Sequence, residues 1–347
     1  MPYEYDANLP EYERLFKDGL TYRQIGERFG LTREQIKKRL DRWRKVPTVR
    51  QVPSSMPVVE VLDPHIIQED WVDRLYANAK EQARIRQEAT KPVSVFNVKI
   101  SEDKPIMFVW VGDVHLLDAG TDHYLWDEDR ATWYETDGVY LGCGGDWANW
   151  FSPAVLPKAM PANVLPSDYA AKVVRRHLTI LQERKKVLFG CVGNHDEFPA
   201  AAGWHPIQEI YRSLDIPDLG SGGRVFLHVG DVKYQIDARH SFNFNSNLND
   251  TNAMRQLWAQ AGKPDMVALA HLHHPTLHHR TFDGEDTVWF RNGSYKRNDQ
   301  FAKSKNYVHT QSEPADMPGI ILSPDHKRMV PFRNYRDGLS LLKVLRG

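Results

Sequence analysis

The chain has 347 residues, 41% of them hydrophobic, and its 45 Lys plus Arg are matched by 45 Asp plus Glu. That is enough apolar material for one large domain beside a small one, while a net charge of zero excludes any argument for nucleic-acid binding from overall charge. Two cysteines, no apolar leader and no run of about 18 apolar residues exclude a disulfide scaffold and a membrane protein, and point to a soluble protein of the cytoplasm.

In chain order, residues 1–46 read as a small all-α domain. Thr21 with Gln24 and Thr32 with Gln35 each match a capping box, so two helices begin on either side of a Gly30-Leu31 turn. Leu15, Ile25, Phe29, Leu31, Ile36, Leu40 and Trp43 recur at spacings that close a three-helix core. Residues 47–63, punctuated by Pro47, Pro53 and Pro57, read as an extended linker. Residues 64–92 read as a connecting helix with Trp71, Leu75 and Ala79 on one stripe, laid on the next domain or paired with a second copy.

The domain over 93–335 opens with strands at 93–100 and 106–111. A helix at 123–135, a strand at 139–143, a helix at 168–185, a strand at 187–192 and a helix at 206–214 follow. The proline-bearing segment 151–166 fits a lid, an oligomer contact or a plain loop. Strands then come in succession, at 224–229, 233–238, 266–270, 276–282 and 287–292, with a hairpin at 319–322 and 328–332. A terminal helix over 336–347 carries Leu339, Leu342 and Leu345. Alternation giving way to hairpins predicts an α/β (α+β) fold of two mixed β-sheets packed as a sandwich flanked by helices.

Five of these strands end in metal-ligating residue types: Val111-Gly112-Asp113-Val114-His115, Gly145-Asp146, Gly193-Asn194-His195-Asp196, Arg239-His240-Ser241 and Ala270-His271-Leu272-His273. Any one alone is an ordinary turn residue or surface histidine. Five in series describe one shared site, whose nitrogen and oxygen donors suit Mn, Fe, Zn or Ni better than Ca or Mg. Cys143 and Cys191, three residues before Asp146 and Asn194, read as small core residues. His274, His278 and His279 read as bystanders, His274 pointing to the other face of a strand.

The order Asp-x-His, Gly-Asp, Gly-Asn-His-Asp, His, His-x-His across about residues 105–300 resembles the calcineurin-like metallophosphoesterase superfamily. The resemblance implies two divalent ions, Mn²⁺ first among the candidates, with Asp146 bridging them. Asp113, His115 and His273 would complete one, and Asn194, His240 and His271 the other. It also implies that a bridging water is acidified for in-line attack on a phosphate ester. His195 would be the general acid, with Asp196 to hold its ring.

Two features bear on the substrate. The pattern over 19–40 resembles the helix-turn-helix of recombinases and small regulators, and residues 22–50 hold ten Lys or Arg against three acids. Arg33, Gln35, Lys37, Lys38, Arg39, Arg42 and Arg44 on its second helix would reach phosphates and base edges. Beyond the last histidine motif, Lys296, Arg297, Lys303 and Lys305 interleave with Tyr295, Phe301 and Tyr307, which suits a single strand and its bases. The expectation is a two-metal phosphodiesterase hydrolysing DNA, resembling the nuclease branch that contains the Mre11 and SbcD repair nucleases. No membrane partner is expected, a homodimer is compatible, and the architecture suits a phage or prophage protein acting in its host's cytoplasm. Two other readings stay open: a phosphomonoesterase or small-nucleotide phosphodiesterase whose helical domain serves assembly, and a non-catalytic DNA-binding scaffold.

Overall fold

A computed structural model describes residues 8–44, 69–89, 95–151, 160, 162–244, 249–282, 284–297 and 315–347. The chain divides into two compact units, Met1–Glu81 and Gln82–Gly347. No helix among the described residues is long and apolar enough to cross a membrane.

In the first unit, helices α1 (Leu9–Lys17), α2 (Tyr22–Phe29) and α3 (Arg33–Arg44) enclose a core of Tyr12, Leu15, Ile25, Ile36 and Leu40. Both capping boxes form. The Thr21 side chain accepts from the Gln24 amide while Gln24 accepts from the Thr21 amide, and Thr32 with Gln35 repeats the exchange. Helix α2 stops at Gly30, whose φ of 68° is the left-handed conformation that reverses the chain into α3. Phe29 and Leu31 pack partly buried against this core, and the side chain of Trp43 lies outside the described residues. Helix α4 (Glu69–Ala89) exposes Val72, Leu75, Tyr76 and Ala79; the Trp71 side chain, like the linker, lies outside the described residues.

The second unit is a sandwich of two mixed sheets with helices on both outer faces. One sheet runs β11-β10-β2-β3-β4, from β2 (Ile106–Val111), β3 (Val139–Cys143), β4 (Val187–Gly190), β10 (Gly319–Leu322) and β11 (Met329–Phe332). The other runs β1-β5-β6-β7-β9-β8, from β1 (Val95–Ile100), β5 (Gly222–Val229), β6 (Val232–Arg239), β7 (Met266–Leu269), β8 (Thr276–Phe282) and β9 (Glu285–Arg291). Strand β2 shows why the layers form. Ile106, Phe108 and Trp110 alternate with Met107, Val109 and Val111, and all six are buried because the two sets face different cores.

The first set meets Val225, Leu227, Ile236, Met266, Val288 and Phe290 of the facing sheet. The second packs with residues of α5 (His123–Glu135), α6 (Ser167–Glu183), α7 (Pro206–Ser213) and the terminal helix α9 (Tyr335–Arg346). On the far side, α8 (Asn252–Gln260) lays Ala253, Met254 and Leu257 on Val267, Leu269 and Trp289. The sequence reading missed α8.

Direction of pairing positions the site. Strands β2, β3 and β4 are mutually parallel, and so are β6, β7 and β9. Each sheet therefore brings three carboxyl ends together, where polar loops can meet outside the hydrogen-bonded ladders.

Candidate metal centre

Backbone bonds draw the strand-end loops into one cluster: Asp113 N–H donates to Gly145 O at 2.9 Å, and His115 N–H to Asp146 O at 3.0 Å. Gly193 lies so close to Asp146 that a Cβ there would overlap the Asp146 carboxylate and amide, so only glycine fits. Asp113, His115, Asp146, His271 and His273 all have left-handed backbones, with φ of 52°, 49°, 55°, 76° and 59°. Five such non-glycine residues at one place store strain of the kind found at functional sites.

Potential ligand atoms gather in three groups: Asp113 with His115 and His273, Asp146 with His240 and His271, and His115 with Asp146 and His195. His273 Nε2 lies 3.1 Å from His115 Nε2 and 3.6 Å from Asp113 Oδ1. Asp146 stands between the first two groups. Its Oδ1 accepts the His195 backbone N–H at 2.9 Å, and its Oδ2 lies 3.5 Å from His240 Nε2 and 4.0 Å from His115 Nε2.

Hydrogen bonding fixes what these atoms offer. His240 Nδ1 lies 2.7 Å from the Gly144 carbonyl, which only accepts, so Nδ1 carries a proton, and a neutral ring would present its lone pair at Nε2. That lone pair faces Asn194 Oδ1 at 2.9 Å and Asp146 Oδ2, two further acceptors. With the ring neutral these are three converging acceptors, an arrangement that a cation among them would relieve. Asp113 gives a second sign. Its Oδ2 accepts the His271 N–H at 2.9 Å and the Asn292 side-chain N–H at 2.8 Å, while buried Oδ1 has no hydrogen-bond partner among the described residues. A carboxylate oxygen left bare in a dry interior suits a metal ion.

Burial drives the titration of the cluster. Desolvation pushes Asp113 up to about 7, against the opposing effect of nearby His240, and raises Asp146 well above the usual carboxylate range. Desolvation also holds His271 down at about 4 and His115 well below the ordinary imidazole range, favouring the neutral rings that bind metals. Cys143 and Cys191 are buried thiols pushed up by desolvation, consistent with core residues.

The seven ligand residues named from sequence thus lie together, with His195 beside them. Its ring centroid is 4.8 Å from that of His115, 5.4 Å from Phe151 and 5.0 Å from Phe198.

Four expectations need correction. Asp196 does not serve to hold the His195 ring: its Oδ1 accepts from Trp147 N and Trp150 Nε1, and its Oδ2 from Asp146 N and Gly193 N, which fills the carboxylate. It braces the loops instead. Lys296 is not placed to meet DNA, because its side chain is 3% exposed and paired with buried Asp118 at 3.0 Å. Tyr295 is buried too, donating its hydroxyl to Asp129 at 2.7 Å. His274 does not sit on a strand: β7 ends at Leu269, and the histidines occupy the bend that follows.

Arg297 is exposed and pairs with Asp122 at 3.2 Å. Phe301, Lys303, Lys305 and Tyr307 lie outside the described residues, as do 152–159 and 161 of the proline-bearing segment. On α3, Arg33, Gln35, Lys37 and Lys38 are exposed and Arg39 partly so, though the Gln35 oxygen serves the helix cap. The side chains of Arg42 and Arg44 lie outside the described residues.

Sequence reasoning missed Asn292 and Ser294, whose hydroxyl donates to the Asp113 carbonyl at 2.7 Å. The available signal was positional: Asn292-Gly293-Ser294 follows an apolar strand as the other motifs do.

No family model and no curated protein matches the chain. Among solved structures, it is similar to Vps29 complexed with zinc from Entamoeba histolytica, at 11% identity and a TM-score of 0.34 over 65% of this chain and 97% of that one. It is similar to Vacuolar Protein Sorting 29 from Cryptosporidium parvum, at 14% identity and a TM-score of 0.35 over 66% and 99% of the two chains. A third similar structure is a conserved uncharacterised protein from Streptococcus pneumoniae, described as a predicted phosphoesterase, at 14% identity and a TM-score of 0.32 over 66% and 97%.

Proposed function

We propose that this chain is a metal-dependent phosphodiesterase that hydrolyses DNA. The observation that carries the reading is the convergence of His240 Nε2, Asn194 Oδ1 and Asp146 Oδ2, beside a second group at Asp113. Acceptors so placed suit two divalent ions, with Asp113, His115 and His273 holding one, Asn194, His240 and His271 the other, and Asp146 serving both. Mn²⁺ is the first candidate. Such ions, when bound, polarise phosphoryl oxygens and lower the pKa of water.

The chain's own residues do the rest. Neutral histidines and one amide limit the negative charge at the centre, so an anionic phosphodiester can approach. His195 carries a ring proton to the departing ester oxygen, and Phe151 and Phe198 pack against that ring and keep water from part of it. Asp196 keeps the loops of Asp146 and His195 in register through its four accepted bonds.

The choice of DNA rests on the first unit, read as a helix-turn-helix whose exposed Arg33, Lys37 and Lys38 meet phosphates. One observation favours a second reading, a phosphomonoesterase or small-nucleotide phosphodiesterase: Tyr295 and Lys296 are buried and offer no nucleic-acid strip beside the site.

The test is metal-stripped protein given Mn²⁺ and end-labelled single-stranded, double-stranded or closed circular DNA, with p-nitrophenyl phosphate and its bis-ester alongside. Cleavage of DNA that requires Mn²⁺ and falls at least about 100-fold in His195→Ala supports the nuclease. Turnover of the small esters without DNA cleavage supports the second reading.

A further inference from the structure

Lys296 and Asp118 form an ion pair at 3.0 Å with side chains only 3% and 2% exposed. Burying two charges costs several kcal/mol for each ion before their attraction repays any of it, so the question is what the pair does there. Asp118 Oδ1 accepts the Gly120 N–H at 2.7 Å. Its Oδ2 takes both the Lys296 ammonium and the side-chain N–H of Asn149. Held as an anion, Asp118 can only accept, so Asn149 must turn its NH₂ toward it and its oxygen the other way.

The atom that meets that oxygen is His115 Nδ1, at 2.9 Å. An amide oxygen also only accepts. His115 must therefore carry its proton on Nδ1 and present the Nε2 lone pair to His273 Nε2 and Asp146 Oδ2, at 3.1 Å and 4.0 Å. The relay is assembled from three loops, those after β2, β3 and β9. It is anchored to the cluster by the Lys296 N–H, which donates to Ser294 Oγ at 3.0 Å, as Ser294 in turn donates to the Asp113 carbonyl.

We propose that Lys296, Asp118 and Asn149 are positioning residues which fix His115 in the Nδ1–H tautomer, so that Nε2 is always free to bind a metal ion. The inference deepens the reading of this cluster as a metal centre and rests on it. The positive end of the chain sets the polarity of every bond after it. Leucine at 149 would leave His115 free to carry its proton on Nε2, and metal binding would then have to displace it.

The experiment is histidine-selective ¹⁵N NMR of the metal-stripped full-length protein, with His115 assigned by the loss of its signals in His115→Gln. The expected spectrum has His115 protonated at Nδ1 and bare at Nε2. In Asn149→Leu the two tautomers should mix, and Zn²⁺ affinity in a direct titration should fall about 10- to 100-fold, the range for partners that orient a metal ligand. Lys296→Arg should keep the wild-type spectrum, whereas Lys296→Met should lose it.

A His115 proton on Nε2 in the wild type overturns the proposal without any variant, so a poorly folding Asn149→Leu cannot rescue it. An Asn149→Leu protein with unchanged tautomer and affinity overturns it as well. The spectrum is recorded without metal or substrate, so it stands apart from the reading of the site: a wild type with the expected tautomer that takes up no Zn²⁺ or Mn²⁺ sinks the metal centre and leaves the relay.

Discussion

Asn194 Oδ1 lies 2.9 Å from His240 Nε2, and in a neutral ring the single proton is held on the other side by the Gly144 carbonyl. The pair is arranged for a cation. Asn194→Leu removes one of the facing acceptors and should abolish tight binding of one metal equivalent, while the equivalent near Asp113 remains. Isothermal titration with Mn²⁺ checks this; full retention of both equivalents would remove Asn194 from the ligand set.

Asp196 gives a prediction that separates bracing from proton transfer. In Asp196→Asn an NH₂ replaces one oxygen and confronts two buried N–H donors, each costing about 1–3 kcal/mol when left unsatisfied. The variant should lose about that much unfolding free energy in a urea titration. Unchanged stability with a collapsed kcat would instead make Asp196 a partner of His195.

Much of this was legible in the sequence, for physical reasons. Apolar runs such as 139–143 are strands because both faces of their sheet are covered, and the capping boxes at Thr21 and Thr32 need only local geometry. The candidate ligands sit in motifs whose residue types announce their chemistry. What escaped was chemistry done by ordinary residues. Asn149, Asp118 and Asn292 act through bonds to His115 and Asp113 that no local pattern encodes.

Lys296 was misread for the related reason that a basic residue in a loop looks solvated until the fold pairs it with Asp118, 178 residues earlier. The left-handed backbones at the ligands were also invisible, since Asp and His do not announce a positive φ as glycine does.

Acid should weaken the fold through His177. Its Nδ1 accepts the Trp126 indole N–H at 2.7 Å, and burial holds its pKa at about 4 against an ordinary 6.5. The folded pKa is depressed, so the unfolded chain takes up the proton first as pH falls. The contribution is complete above about pH 6.5 and is lost on the way down through pH 4. With allowance for partial exposure it amounts to about 1–2 kcal/mol. The stability gap between wild type and His177→Gln in urea should therefore be constant above pH 7 and narrow toward pH 4; a gap independent of pH would contradict the assignment.

The central claim is that one carboxylate, Asp146, serves two adjoining groups of ligands. Its most direct test is metal stoichiometry by titration of stripped protein with Mn²⁺, comparing wild type with Asp146→Ala under conditions where both remain folded. The account predicts two tight equivalents in the wild type and loss of both in the variant. A wild type that binds none, or an Asp146→Ala protein that still binds two, would contradict it.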